Sequence, residues 1–178
     1  YTVGAEEDPL NRWGIQFGFK LPTGSYKVSN SAGVTAERSL QPGSGTTDAL
    51  LSVFFTHRGF DPEATWSAQL GYQQALASRD GYRPGNQVAF TAGYNQPFGT
   101  HWTGILQLNA LWKDRDSGSN AEPEVSGGRQ VFISPGISYA VSRSMQLYTY
   151  AQLPIYRYVN GTQLVADWGW VAGAAVQF

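Results

Sequence analysis

The chain has 178 residues, a length that fits one domain. Charged residues make up 14% of it, against roughly 25% in soluble domains. With a formal net charge of -1 and a pI of about 6.1, neither nucleic acid nor a polybasic membrane contact is indicated.

There is no Cys, which excludes a disulfide framework, a thiolate metal site and an N-terminal lipid attachment point. No stretch approaches about 18 consecutive apolar residues, so a transmembrane helix is excluded. A mean hydropathy of -0.30 still admits a membrane β-barrel, because such a wall shows only alternate residues to lipid. No basic-then-apolar leader opens the chain, so an exported protein would be represented here in a trimmed form.

In chain order, Tyr1 to Val3 read as the tail of a strand, either a frayed terminus or the remnant of an upstream strand, followed by an acidic turn over residues 4–11. The first full strand is expected over 12–20, with Trp13, Ile15, Phe17 and Phe19 on one face and Gly14, Gln16, Gly18 and Lys20 on the other. A Gly-, Ser- and Pro-rich segment over 21–45 reads as a long loop. The next strand, 47–57, is apolar on both faces. Its outward set is read as Ala49, Leu51, Val53 and Phe55, with Asp48 at its inner rim.

After a short turn, the strand over 65–74 puts Trp66, Ala68, Leu70 and Tyr72 outward and Gln69 and Gln73 inward. A polar connection over 75–85 leads to a strand over 86–96, with Thr91 and Asn95 facing in. A tight turn then gives a strand over 101–113, with Trp102 and Trp112 outward and Gln107 and Asn109 inward. The most polar loop covers 113–128. The strand over 129–141 contains Pro135, which lacks an N–H donor and predicts a bulge or an edge there. The strand over 145–158 turns Gln146, Tyr148, Tyr150 and Gln152 inward.

A loop over 158–165 delivers the closing strand, 165–178. Phe178, Val176, Ala174, Ala172, Trp170 and Trp168 alternate along it with small or polar residues, Asp167 among them. The count is eight. Connections alternate long and short, and charges gather at strand ends. An eleven-residue strand tilted near 45° covers about 25 Å.

The expected fold class is therefore an all-β, antiparallel, up-and-down transmembrane β-barrel forming a single domain. A greasy outer face with aromatic edges (Trp13, Trp66, Trp102, Trp112, Trp168, Trp170, Phe178) would meet outer-membrane lipid, and the amide-rich face would line a lumen. A soluble barrel or sandwich would invert this sense, with the glutamines wetted. Against that stand the lack of Lys and Glu in strand middles and the aromatics at strand ends.

No catalytic set is expected. The two His residues, His57 and His101, fall beside short turns at one end, away from any outer-rim Asp or Ser. Asp114, Asp116, Glu122 and Glu124 read as a solvated acidic loop rather than a cation site, and no cofactor is implied.

The strings LPTG, LQPGSGTTDALL, SGG before a strand containing PG, and LPIYRYVNGTQL resemble the outer-membrane transporters grouped under the phenol-degradation MetA pathway. The match runs from about Gly18 to the end. The resemblance implies further strands ahead of Trp13 and passage of small solutes. Two readings stand: a channel wall completed by other strands or another chain, or a closed eight-stranded barrel serving as a structural or adhesive platform, its interior plugged by Tyr148, Tyr150, Phe54 and Phe132.

Overall fold

The computed structural model describes residues 2–3, 10–59 and 64–177. Most of the expected acidic turn, residues 60–63 of the next turn and the terminal Phe178 lie outside the described residues.

Period-two sequences give strands throughout. In order they are β1 (Thr2–Val3), β2 (Asn11–Lys20), β3 (Asp48–Arg58), β4 (Thr65–Ala75), β5 (Gln87–Phe98), β6 (Trp102–Lys113), β7 (Gly128–Ala140), β8 (Met145–Val159) and β9 (Gly169–Val176). They form one all-β, antiparallel sheet in sequential order, with two three-residue 3-10 turns as its helical content among the described residues. This is the expected up-and-down architecture. The sheet is barrel-like but open: among the described residues no ladder joins β9 to β1 or β2.

The ladders fix the faces. Trp13 opposes Phe55, Ile15 opposes Val53 and Phe17 opposes Leu51, and Leu51 in turn meets Tyr72. Leu70 opposes Phe90, Ala92 opposes Leu108, and Leu108 opposes Ile133. All belong to one apolar face, so the outward set read for 47–57 is in register with its neighbours despite that strand being apolar on both sides. The interleaved positions form a second face of amides, hydroxyls and small residues. The connections at one end are short (99–101 and 141–144), and those at the other are long (21–47, 76–86, 114–127).

Three details depart from expectation. The bulge falls not at Pro135, which stays in register opposite Leu106, but where β7 meets β8 between Val131 and Phe132. Val131 opposes Tyr156 and Phe132 opposes Pro154, leaving Ile155 as the extra residue. Pro154 lacks the donor the ladder needs, and the chain relieves that loss there. Beyond the bulge Tyr156 and Tyr158 share the apolar face and Arg157 turns to the other.

The closing strand is also shorter than read, with Asp167 and Trp168 preceding it. Asp167 pairs with Arg157 at 3.0 Å instead of continuing the ladder. Finally, Thr2–Val3 pairs with Trp13 and Gly14, so the expected strand tail is present.

Within the connection 76–86, Asp80 and Gly81 have φ of 49° and 68°, and Arg79 and Tyr82 exchange both backbone hydrogen bonds across them. Two consecutive positive φ values define the tight hairpin turn for which Asp-Gly is favoured.

Candidate functional site

The two faces of the sheet differ in chemistry and in cover. On the apolar face Phe17 is 81% exposed, Leu51 53%, Leu70 49%, Leu106 46% and Trp170 66%. An uncovered apolar surface running over eight long strands far exceeds the few hundred Å² that a soluble monomer shows.

Its aromatics fall in two rows. At the short-turn end Trp13 faces Phe55, Trp66 packs on Tyr94 at 4.4 Å between centroids, and Trp102 packs on Tyr139 at 4.6 Å. At the long-loop end stand Trp112 and Tyr158, while Trp170 opposes Ala151 midway along β8 and Trp168 lies just outside the sheet. Trp102 and Trp112 are ten residues apart on β6, roughly 33 Å along the strand and about 23 Å in height at a 45° tilt.

The opposite face holds every residue expected to line a lumen except Asp167. Ser52 Oγ donates to Gln16 Oε1 at 3.2 Å, and Gln69 Nε2 donates to Ser52 Oγ at 3.2 Å. Thr91 Oγ1 donates to Asn109 Oδ1 at 3.2 Å, and Asn109 Nδ2 reaches Ser134 Oγ at 3.4 Å. Gln146 Nε2 donates to Ser138 Oγ at 2.6 Å. Gln107 and Asn95 stand on the same face, opposite Ser134 and Ile105. This stripe crosses the sheet carrying hydrogen-bonding capacity and no charge.

Charge sits at the long-loop rim. Asp48 is 1% exposed, ion-pairs with Lys20 at 2.7 Å and accepts from Thr46 Oγ1 and Gln73 Nε2, each at 2.6 Å. Both oxygens of that buried carboxylate accept hydrogen bonds, Oδ1 from Thr46 and Oδ2 from Lys20 and Gln73, which is the condition for holding a charge out of water.

Tyr148 and Tyr150 stand side by side on this face. Their rings stack at 6.4 Å with 12° between planes. Tyr148 lies across Gly173 of the next strand, and the side chain of Gln152 lies over Gly169 in the same way. Glycine leaves the space into which each longer side chain folds back along the wall.

The long connections fold over the rim as a cap that sequence reading missed. The Arg38 guanidinium sits between two rings, 4.6 Å from the centroid of Tyr26 and 4.9 Å from that of Tyr82, and donates to Ser44 O at 2.8 Å. Tyr82 Oη donates to Asp116 Oδ2 at 2.7 Å. Asp116, 2% exposed, also pairs with Lys113 at 2.9 Å and accepts from the Gly85 N–H at 2.8 Å.

Burial, and then the hydrogen bond to Asp116, push the Tyr82 phenol well above its ordinary value. Lys27 pairs with Asp80 at 2.9 Å, and Gln163 Nε2 ties the last loop to Gly127 O at 2.8 Å. A cavity of about 620 Å³ remains inside the cap, lined by Tyr26, Arg38, Tyr82, Asp116 and Asn120 among others. Sequence signals for this cap are slight: the Asp-Gly turn is legible, but the stacking of Arg38 depends on loops distant in the chain.

His57 bonds Asn11 at 2.7 Å and His101 bonds Thr100 at 2.8 Å, both at the short-turn end. Among the described residues no group of three or more His, Asp or Glu side chains gathers into a metal-binding arrangement. No helix among them is long and apolar enough to cross a membrane, which says nothing against crossing by strands.

Fold and faces together define an up-and-down, barrel-like β-wall, greasy on one side and amide-lined on the other. The family model described as "Putative MetA-pathway of phenol degradation" matches residues 2–171, and the chain belongs to that family. No curated protein and no solved structure matches it.

Proposed function

We propose that the chain forms part of the wall of a bacterial outer-membrane β-barrel that passes small uncharged or hydrophobic solutes, without enzymatic chemistry. The observation that carries this reading is the sidedness of the sheet: exposed Phe, Leu and Trp on one face, neutral amides and hydroxyls on the other. In hydrocarbon every backbone polar group must be paired, so such a wall exists there only as a closed barrel. A neutral lining gives weak ion selectivity and suits solutes without charge. The family's description, naming a phenol-degradation pathway, is compatible with transport.

The topology favours a channel over a closed eight-stranded platform. Thr2–Val3 already occupies part of the β2 edge. Eight antiparallel steps separate β1 from β9, so the two run parallel and cannot close an up-and-down barrel on each other. A wall that included further strands, from the same gene product or from another chain, would have a bore wider than that of an eight-stranded barrel.

Planar-bilayer conductance of the intact gene product tests the reading. Stepwise, weakly ion-selective conductance is the expected result. A folded, membrane-inserted and electrically silent protein removes the channel in favour of the platform.

A further inference from the structure

On the polar face three neighbouring strands set the small residues Ser52, Gly71 and Ala89 side by side, with Gly18 beside them on β2 across from Leu50. Gly18 of β2 opposes Leu50 of β3, Ser52 opposes Gly71 of β4, and Gly71 opposes Ala89 of β5. They floor a trough of about 370 Å³. A Cβ added at Gly18 would meet nothing within 4 Å, and at Gly71 it would meet only ordinary contacts, so the floor is open above both.

Glutamines close the trough at both ends. Gln16 and Gln69 stand toward the short turns, Gln73 and Gln87 toward the long loops. Gln69 and Gln73 stand four positions apart on β4, roughly 13 Å along the strand. The lower pair is loosely satisfied: Gln16 Oε1 takes donors only at 3.2 and 3.4 Å, and among the described residues its Nε2 and the Oε1 of Gln69 carry no hydrogen bond. At the upper end Gln73 spends its Nε2 on Asp48, whose charge Lys20 already balances. A charged ligand finds no counter-ion in the trough, while a flat apolar body fits the floor and a neutral hydrogen-bonding group meets the amides.

We propose that this trough is a solute-binding subsite for a small uncharged molecule with a flat apolar body and a hydrogen-bonding group at its end. The inference rests on the transport reading for its purpose, but binding itself needs no conduction.

Isothermal titration of benzamide into the full-length protein in nonionic detergent, corrected for protein-free micelles, tests it. The expected result is saturable binding, at least tenfold weaker for benzoate and for benzylammonium. Gly18→Leu, whose side chain enters open space and fills the trough, is expected to abolish binding with the sheet intact by circular dichroism. Gln69→Leu, which leaves the floor untouched, is expected to weaken it at least fivefold. Absence of saturable binding in the wild type, equal binding of the charged probes, or wild-type affinity in either folded variant overturns the proposal. A protein that binds benzamide in this pattern yet never conducts overturns the channel and leaves the subsite standing.

Discussion

The phenol ring of Tyr148 occupies the place where a side chain on Gly173 would stand. A Cβ at Gly173 would lie 2.5 Å from Tyr148 Cζ and Oη and 3.1 Å from Cε1. The two residues face each other directly across the β8–β9 ladder. The ring therefore runs along the wall instead of projecting from it, and that placement depends on a missing methyl group. Gly173→Val is expected to destabilise the fold by about 1–3 kcal/mol through overpacking and to lower conductance by forcing the ring inward. Adding Tyr148→Ala is expected to recover most of both losses, as read by urea unfolding and single-channel recording. Additive effects in the double variant would contradict the contact.

Asp48 anchors the rim where β3 begins. Asp48→Ala leaves Thr46, Gln73 and Lys20 without their shared acceptor and is expected to cost about 2 kcal/mol. Lys20→Met is expected to cost less, because Lys20 is 41% exposed and the two neutral donors still hold the carboxylate. Equilibrium unfolding of both variants checks the order. Equal losses would mean that the ion pair, not the hydrogen-bond set, dominates.

The cap tie between residues 27 and 80 has a defined pH range. Lys27 holds the Asp80 carboxyl below its usual value, and Asp80 in turn raises Lys27. The carboxyl's contribution is present above its unfolded pKa, near 3.9, and is lost as pH falls through the lower folded value. The lysine's contribution is present below its unfolded pKa, near 10.4, and is lost as pH rises through the higher folded value. The loop is thus expected to stay tied across the neutral range and to loosen only in strong acid or strong alkali, and to loosen with added salt because both groups are exposed. A fluorophore on Ser31→Cys, unique because the chain has no Cys, reports this as anisotropy. Asp80→Asn is expected to remove the acid transition.

Tyr82 is expected to titrate late among the ten tyrosines. Burial first, and its bond to Asp116 second, favour the neutral phenol, so its stabilising effect is lost only as pH rises through the elevated folded value. Alkaline difference absorbance of the wild type and Tyr82→Phe checks this: the variant lacks the latest component. Loss of an early component instead would place Tyr82 in solvent.

What the sequence made legible was the face of nearly every strand residue, since a period of two runs through the long strands and breaks only where β8 bulges at Ile155. Where the pattern carried two signals it misled. Pro135 and Pro154 both lack a donor, and only the ladder shows that the second is where the chain bulges. Asp167 and Trp168 continue the alternation on paper, but the ladder begins only at Gly169, and Asp167 pairs instead with Arg157. The lie of Tyr148 along the wall was not legible, because a side chain's direction depends on the neighbouring strand and Gly173 is twenty-five residues away. The cap was least visible, since Tyr26, Arg38, Tyr82 and Asp116 meet through three loops with no shared periodicity.

The sidedness of the wall is tested most directly by nitroxide labels placed one at a time along β4 in lipid vesicles. The prediction is a strict alternation: labels at Trp66, Ala68, Leu70 and Tyr72 collide with dissolved oxygen as lipid-exposed sites do, while labels at Ser67, Gln69, Gly71 and Gln73 collide with a water-soluble nickel chelate. If the first set is instead reached by the chelate, or shielded from both reagents while the second set alone is wetted, the greasy face is a protein core and the account fails.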